Sequence, residues 1–106
     1  MDILPEAKFK RGQIMSTESV KNAMSYSPTF REFVAKALAK YFLGNWGNVN
    51  ATDWHENDRA VRNGGRIMAA YDMKKNGLSA MLGHKRIYIL TEPDRSATTV
   101  LFSDEY

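Results

Sequence analysis

The sequence has 106 residues, 43% of them hydrophobic and 25% charged, with a formal net charge of +3. These proportions exclude general disorder and predict one globular domain with a single hydrophobic core. The absence of cysteine excludes disulfides and thiolate chemistry.

Charge and hydropathy allow only coarse expectations about location and partners. No stretch is long and apolar enough to cross a bilayer, and the start lacks the apolar run of a signal peptide, so we expect a cytoplasmic protein without a membrane partner. The charge bias is mild and permits a nucleic acid or an acidic protein as partner without predicting either. His55 and His84 lack metal-ligand spacing, and we expect neither a metal nor a cofactor.

The amino-terminal part predicts an arm, a strand and a short helix. Residues 1–10 have mixed charge and no sustained periodicity, so we expect a flexible arm. Residues 12–17 are typical of a short strand. Ser16 or Thr17 can then accept a hydrogen bond from a free helix amide and start a helix that reaches about Met24.

The strongest element is a helix that begins at Ser27 and Pro28 and ends at Gly44. Serine is a typical helix cap, and proline is tolerated at the first helical position. Apolar side chains recur along one face of this helix and predict the main contribution to the core. They are Phe30, Phe33, Val34, Ala37, Leu38, Tyr41 and Phe42.

A loop with two glycines around Trp46 leads to a weaker helix. This helix is expected to begin at Thr52 or Asp53 and to end at the Asn-Gly-Gly sequence of residues 63–65, which is typical of a helix end. Trp46 and Trp54 flank the part of this loop that is rich in asparagine and glycine. They can pin it to the core, which is the favoured interpretation, or they can anchor a partner, because buried aromatic side chains dominate interface energies.

The carboxyl-terminal part predicts strands. The apolar period changes to two, which indicates strands over residues 66–73, 85–91 and 97–102. An Asn-Gly turn is expected at 74–77, and residues 78–84 are expected to form an exposed loop. The predicted fold class is therefore α+β, with a small three- to four-stranded antiparallel sheet covered on one face by two main helices.

The polar segment from Glu92 to Ser96 connects the last two strands. Pro93 suits the second position of a turn, and Asp94 and Ser96 can bond nearby backbone amides. The simplest interpretation is a turn whose Arg95 lies in solvent or pairs with a neighbouring carboxylate.

An anion-binding pocket is the functional alternative for the same segment. The planar guanidinium of Arg95 suits phosphate or carboxylate. The hydroxyl groups of Ser96, Thr98 and Thr99 would line the pocket. Cations from neighbouring strands would complete it, namely Lys85, Arg86 and Arg66, and Asp94 is a further candidate for partner or anion binding. No base lies beside Ser96, so we expect no serine nucleophile and assign no catalytic residue.

Most of residues 44–106 resemble a family of small bacterial proteins carried on plasmids, phages and integrated elements. Members are often labelled "type I restriction endonuclease subunit M" or "plasmid-related protein". The pattern covers Gly44, Trp46, Gly47, Asp53, Asn57, Gly65, Ala70, Tyr71, Thr91, Glu92, Asp94, Arg95, Ser96, Thr98, Thr99, Leu101, Glu105 and Tyr106. The chain departs from it at Asn45, where the family commonly has Asp, and by an insertion over residues 78–83. The resemblance implies a habitat on mobile DNA.

The first hypothesis for function is a non-catalytic binding protein of a mobile genetic element. It would act on a host defence or regulatory partner, as an anti-CRISPR-type inhibitor or an accessory protein, and that partner would be a protein or a nucleoprotein complex. The contact surface would be the loop of Asn45 and Trp46, the 78–84 segment or the Arg95 turn.

Two alternatives remain open. A metal-independent ribonuclease of the RelE type uses lysine, arginine and tyrosine side chains on a sheet, and Lys85, Arg86, Tyr88, Arg95 and Tyr106 match these residue types. A nucleic-acid-binding accessory protein without catalysis is the third possibility, and its affinity would fall steeply with salt.

Overall fold

The computed structural model describes residues 7–73 and 77–106, so the first part of the predicted arm and most of the predicted 74–77 turn lie outside it. The described chain forms a sheet packed with helices, which confirms the α+β class. The strands are β1 (Gln13–Ser16), β2 (Ile67–Asp72), β3 (Arg86–Thr91) and β4 (Ala97–Phe102), in the spatial order β1-β4-β3-β2.

The sheet is mixed, so the prediction of a wholly antiparallel sheet is wrong for one strand. β2 and β4 pair antiparallel with β3, whereas β1 runs parallel to β4. The amides of Gln13 and Thr17 donate to the carbonyls of Ser96 and Val100 on β4. Three helices and the strands β2 and β3 lie between β1 and β4 in the chain, and a parallel pair requires such a long connection.

Four helices accompany the sheet in the described residues: α1 (Glu18–Tyr26), α2 (Pro28–Phe42), α3 (Ala51–Asn63) and α4 (Leu78–Leu82). The predicted caps at Thr17 and Ser27 are confirmed, because their side chains accept from the amides of Val20 and Phe30. Gly64, at a φ of +79°, ends α3 as predicted.

Two helix predictions differ from the structure. α3 begins before Thr52, because the side chain of Asn50 accepts from the amide of Asp53 at 2.8 Å and caps the helix there. Residues 78–84 contain α4 rather than a simple exposed loop. Leu78 is buried and anchors this short helix in the core, and Gly83 ends it in the left-handed conformation.

The core lies between α1 and α2 and one face of the sheet. Phe30 of α2 stacks on Phe102 of β4 with ring centroids 5.6 Å apart, and Tyr41 reaches Thr91 of β3 through a hydrogen bond. α3 does not cover this face in the same way: its Asn57 side chain bonds the outer edge of β2. The helical cover is therefore α1 and α2, and α3 forms a wall beside the sheet.

The described part of the predicted flexible arm, residues 7–10, is held against the core. The Lys8 amide donates to the Phe42 carbonyl at 2.9 Å. The ring of Phe9 lies 5.4 Å from that of Tyr41 and 6.0 Å from that of Trp46. One aromatic side chain of the arm thus packs among other aromatic rings, and the flexibility expected of residues 1–10 stays a prediction.

Candidate functional site

The segment from Glu92 to Ser96 forms the predicted turn. The Glu92 carbonyl accepts from the Arg95 amide at 2.9 Å, and the Asp94 carboxylate accepts from the Ser96 amide at 2.9 Å. Hydrogen bonds from the Ser96 side chain and backbone lower the pKa of Asp94, which is fully exposed. These local bonds account for the polar side chains of Asp94 and Ser96.

Arg95 neither lies free in solvent nor faces an open anion pocket. Its guanidinium donates to the carbonyls of Gly65 at 2.6 Å and Ala60 at 2.8 Å, and to the Glu92 carbonyl at 3.1 Å. It also lies 5.9 Å from the centroid of the Phe9 ring. A cation at the carboxyl end of α3 complements the helix dipole and binds its free carbonyls. Arg95 therefore joins the β3–β4 turn to α3.

Thr98 belongs to a buried chain of hydroxyl groups. Its Oγ1 donates to the Arg11 carbonyl at 2.7 Å and lies 2.8 Å from the Thr91 hydroxyl, which lies 2.7 Å from that of Tyr41. Since each hydroxyl has one proton and Thr98 donates to the Arg11 carbonyl, Thr91 donates to Thr98. The Tyr41 proton is then shared between the Thr91 hydroxyl at 2.7 Å and the Ile67 carbonyl at 3.3 Å. Burial raises the pKa of Tyr41. Thr98 satisfies core polar groups and is not accessible to an external anion.

The loop of Asn45 and Trp46 is held by contacts within the protein, although Asn45 itself is exposed. Trp46 is fully buried, and its indole donates to the Asp58 carboxylate at 2.9 Å. The Asn45 side chain accepts from the Gly47 amide at 3.0 Å, and its carbonyl accepts from the Tyr71 hydroxyl at 2.7 Å. Trp46 therefore pins the loop to the core, as the favoured interpretation predicted, and does not contact solvent.

The same loop and α3 close the outer edge of β2. Asn57 bonds both backbone groups of Met68, and the Asn48 side chain accepts from the Asp72 amide at 3.0 Å. Between them, the Ala70 amide donates to the Trp46 carbonyl, and the Ala70 carbonyl accepts from the Asn48 amide. The edge that could otherwise pair with another strand is thus covered, and α3 is held beside the sheet.

This arrangement leaves an open groove between α3 and the outer face of the sheet, with a volume of about 490 Å³. Its polar and aromatic lining includes Asn50, Asp53, Glu56, Arg66, Arg86 and Tyr88. Of the residues predicted for a site, Arg66 and Arg86 line this groove, and the exposed Lys85 precedes Arg86 in the chain. Asp94, Arg95, Ser96 and Thr98 are held elsewhere, in the turn and the core.

An arginine and two tyrosines form a cluster at the groove. The guanidinium carbon of Arg66 lies 5.3 Å from the centroid of the Tyr106 ring, and its Nη2 donates to the Tyr106 hydroxyl. The Tyr106 and Tyr88 rings meet edge to face with centroids 5.8 Å apart. Tyr106 nevertheless remains 60% exposed. The cluster therefore presents a large aromatic surface already fixed in position.

The two walls of the groove carry opposite charge. Asp53 and Glu56 lie on α3, and Arg66 and Arg86 lie on the sheet side. Arg86 pairs with Asp72 at 2.9 Å on the neighbouring strand, but in residues 7–73 and 77–106 no ion pair joins Asp53 or Glu56 to the opposite wall. The two walls therefore offer a ligand charges of both signs, with Arg66 already held by the Tyr106 hydroxyl.

The sequence identified this site only in part. Arg86, Tyr88 and Tyr106 were identified as matches to a ribonuclease, but the acidic wall was missed. The spacing of Asp53 and Glu56, three residues apart on a helix, places them on one face and was the available signal. Their position opposite Arg66 depends on how α3 docks on β2.

Comparison with family models, curated proteins and solved structures found no match to this chain. In the residues that the structure describes, no three His, Asp or Glu side chains are grouped as a metal site. No helix in the same residues is long and apolar enough to cross a membrane.

Proposed function

We propose that this chain is a non-catalytic binding protein of a mobile genetic element, which acts on a host defence or regulatory protein through the groove beside α3. Two features of the chain support this function. The resemblance of residues 44–106 supplies the mobile-element setting, and the groove supplies a surface for the partner.

The observation that carries the proposal is the opposite charge of the two groove walls. Asp53 and Glu56 would repel the phosphates of a nucleic acid that approached Arg66 and Arg86. A protein segment with both acidic and basic side chains satisfies both walls, and electrostatic complementarity of this kind gives specificity. Tyr106 adds an exposed aromatic surface, and tyrosine and arginine are enriched among the residues that dominate interface energies.

The experiment is affinity capture from a bacterial host with charge-reversal variants. Glu56→Lys and Arg66→Glu each reverse one wall, and both should lose the captured partner. Lys36→Glu is the matched control, because Lys36 is exposed on α2 and does not line the groove. Capture of the same partner by both reversed variants at the wild-type level overturns the groove as the contact surface.

A metal-independent ribonuclease is the second candidate, because Arg66, Arg86 and Tyr88 line one groove. Tyr106 contacts two of them, Arg66 and Tyr88. Cations there would stabilise a pentavalent phosphate, and a side chain would activate the ribose hydroxyl. Arg95 is not part of that group, since its donors bind backbone carbonyls.

RNA cleavage separates the two candidates. For a binding protein, purified wild type and Arg66→Ala should show the same background level of RNA cleavage. Cleavage by the wild type that is lost in Arg66→Ala and kept in Lys36→Glu would favour the ribonuclease. RNA binding without cleavage, with affinity falling steeply as salt rises, would favour the nucleic-acid-binding alternative.

A further inference from the structure

The two edges of the sheet differ in their hydrogen bonding. The outer edge of β2 is covered by Asn48, Asn57 and the 46–48 loop, but β1 forms the opposite edge. The amides of Gln13 and Thr17 face β4, so the backbone groups of Ile14 and Ser16 point away from the sheet. In the described residues no hydrogen bond reaches these outward groups.

The two apolar side chains of β1 are also unusually exposed for residues in a sheet. Ile14 is 46% and Met15 47% exposed. A groove of about 400 Å³ runs beside the strand and is lined by Ile14, Met24, Val34, Leu38 and Val100, among others. An open edge with an apolar border is a template for another strand.

We propose that β1 pairs antiparallel with β1 of a second copy, which joins the two four-stranded sheets across a two-fold axis. Within the strand, only the register that sets Ile14 against Ser16 pairs the free backbone groups of both residues in both copies. Ile14 of one copy faces Ser16 of the other in a hydrogen-bonded pair, and the same pair repeats on the other side of the axis. Met15 then faces Met15 of the second copy in the central pair that is not hydrogen-bonded.

Charge favours a second copy as the occupant of this edge. In this register the residues that precede Gln13 in one copy lie beside the end of β1 in the other copy, where Thr17 caps α1 and Glu18 begins it. The exposed Lys10 and the adjacent Arg11 of one copy therefore approach the exposed Glu18 of its mate, twice per dimer. Opposite charges at both ends support this alignment over a parallel one, which would place like charges side by side.

A single cysteine tests the register directly, because the natural chain has none. Residues in a pair that is not hydrogen-bonded have Cα atoms about 4.5 Å apart, within the range of a disulfide. Met15→Cys should therefore form a covalent dimer rapidly in oxidised glutathione. Met81→Cys is the matched control, since Met81 is a similarly exposed methionine on α4, and it should remain monomeric.

Solution mass measurements test the association itself. Light scattering over roughly a hundredfold range of protein concentration should show the wild type and Met81→Lys becoming dimeric, while Met15→Lys remains monomeric. The Ile14 and Ser16 amides should gain protection from hydrogen exchange as the dimer forms. A monomeric wild type throughout the range, or a dimer whose Ile14 and Ser16 amides exchange freely, overturns the proposal. Pairing of β1 with a second copy does not depend on the groove beside α3.

Discussion

The side chain of Asn57 bonds both backbone groups of Met68: its Nδ2 donates to the Met68 carbonyl at 2.8 Å, and its Oδ1 accepts from the Met68 amide at 3.2 Å. The same packing leaves only 6% of Asn57 exposed to solvent. One side chain on α3 thus replaces a neighbouring strand at the edge of β2. The position of the acidic groove wall depends on this contact.

We expect Asn57→Ala to lower the free energy of unfolding by about 2–4 kcal/mol, because it leaves two backbone groups without partners. Asn22→Ala, on the exposed surface of α1, is the control and should have little effect. Urea unfolding measures both changes. The Met68 amide should also exchange faster in Asn57→Ala, and an unchanged rate would mean that the side chain does not protect the edge.

Arg95→Lys should destabilise the protein by about 1–3 kcal/mol even though it keeps the charge. A lysine ammonium lacks the planar fork that reaches the Ala60 and Gly65 carbonyls together. Arg62→Lys is the control for the substitution itself, because Arg62 is exposed on α3, the helix whose end Arg95 binds. Partner capture should survive Arg95→Lys in folded protein. Loss of the partner without loss of stability would favour the anion pocket, which the sequence offered as the alternative to a structural turn.

Gly47→Ala should be far more destabilising than Gly83→Ala. The two glycines have nearly the same φ, +73° and +74°, so the backbone strain of adding a side chain is similar. At Gly47 the new Cβ would lie 2.2 Å from the Ala70 carbonyl oxygen, whereas at Gly83 nothing lies within 4 Å. Thermal unfolding of the two variants measures the difference, and equal melting temperatures would contradict the close approach of the loop to β2.

Alkaline pH should destabilise the fold through its buried tyrosines. Burial raises the pKa of Tyr41 and of Tyr71 above the unfolded value of about 10. The folded state therefore holds these protons more tightly, and the stability they contribute is complete below pH 10 and is lost as the pH rises above it. In urea unfolding, Tyr41→Phe should reduce the loss of unfolding free energy as the pH rises. Tyr26→Phe should leave that loss unchanged, because Tyr26 is 63% exposed.

The amino-acid sequence by itself determined the local elements. The caps at Thr17 and Ser27, the helix end at Gly64 and the apolar periods each depend on atoms a few residues apart, so one sequence pattern defines each of them. The turn at Asp94 was predictable for the same reason.

Tertiary structure decided what the long polar side chains do. Arg95 binds a carbonyl 35 residues away, and Asn57 and Met68 meet only because α3 turns back beside β2. No local pattern encodes these partners, so the turn resembled an anion pocket and the acidic wall of the groove was missed. The parallel pairing of β1 has the same cause, since an edge strand takes its direction from where the intervening helices bring the chain.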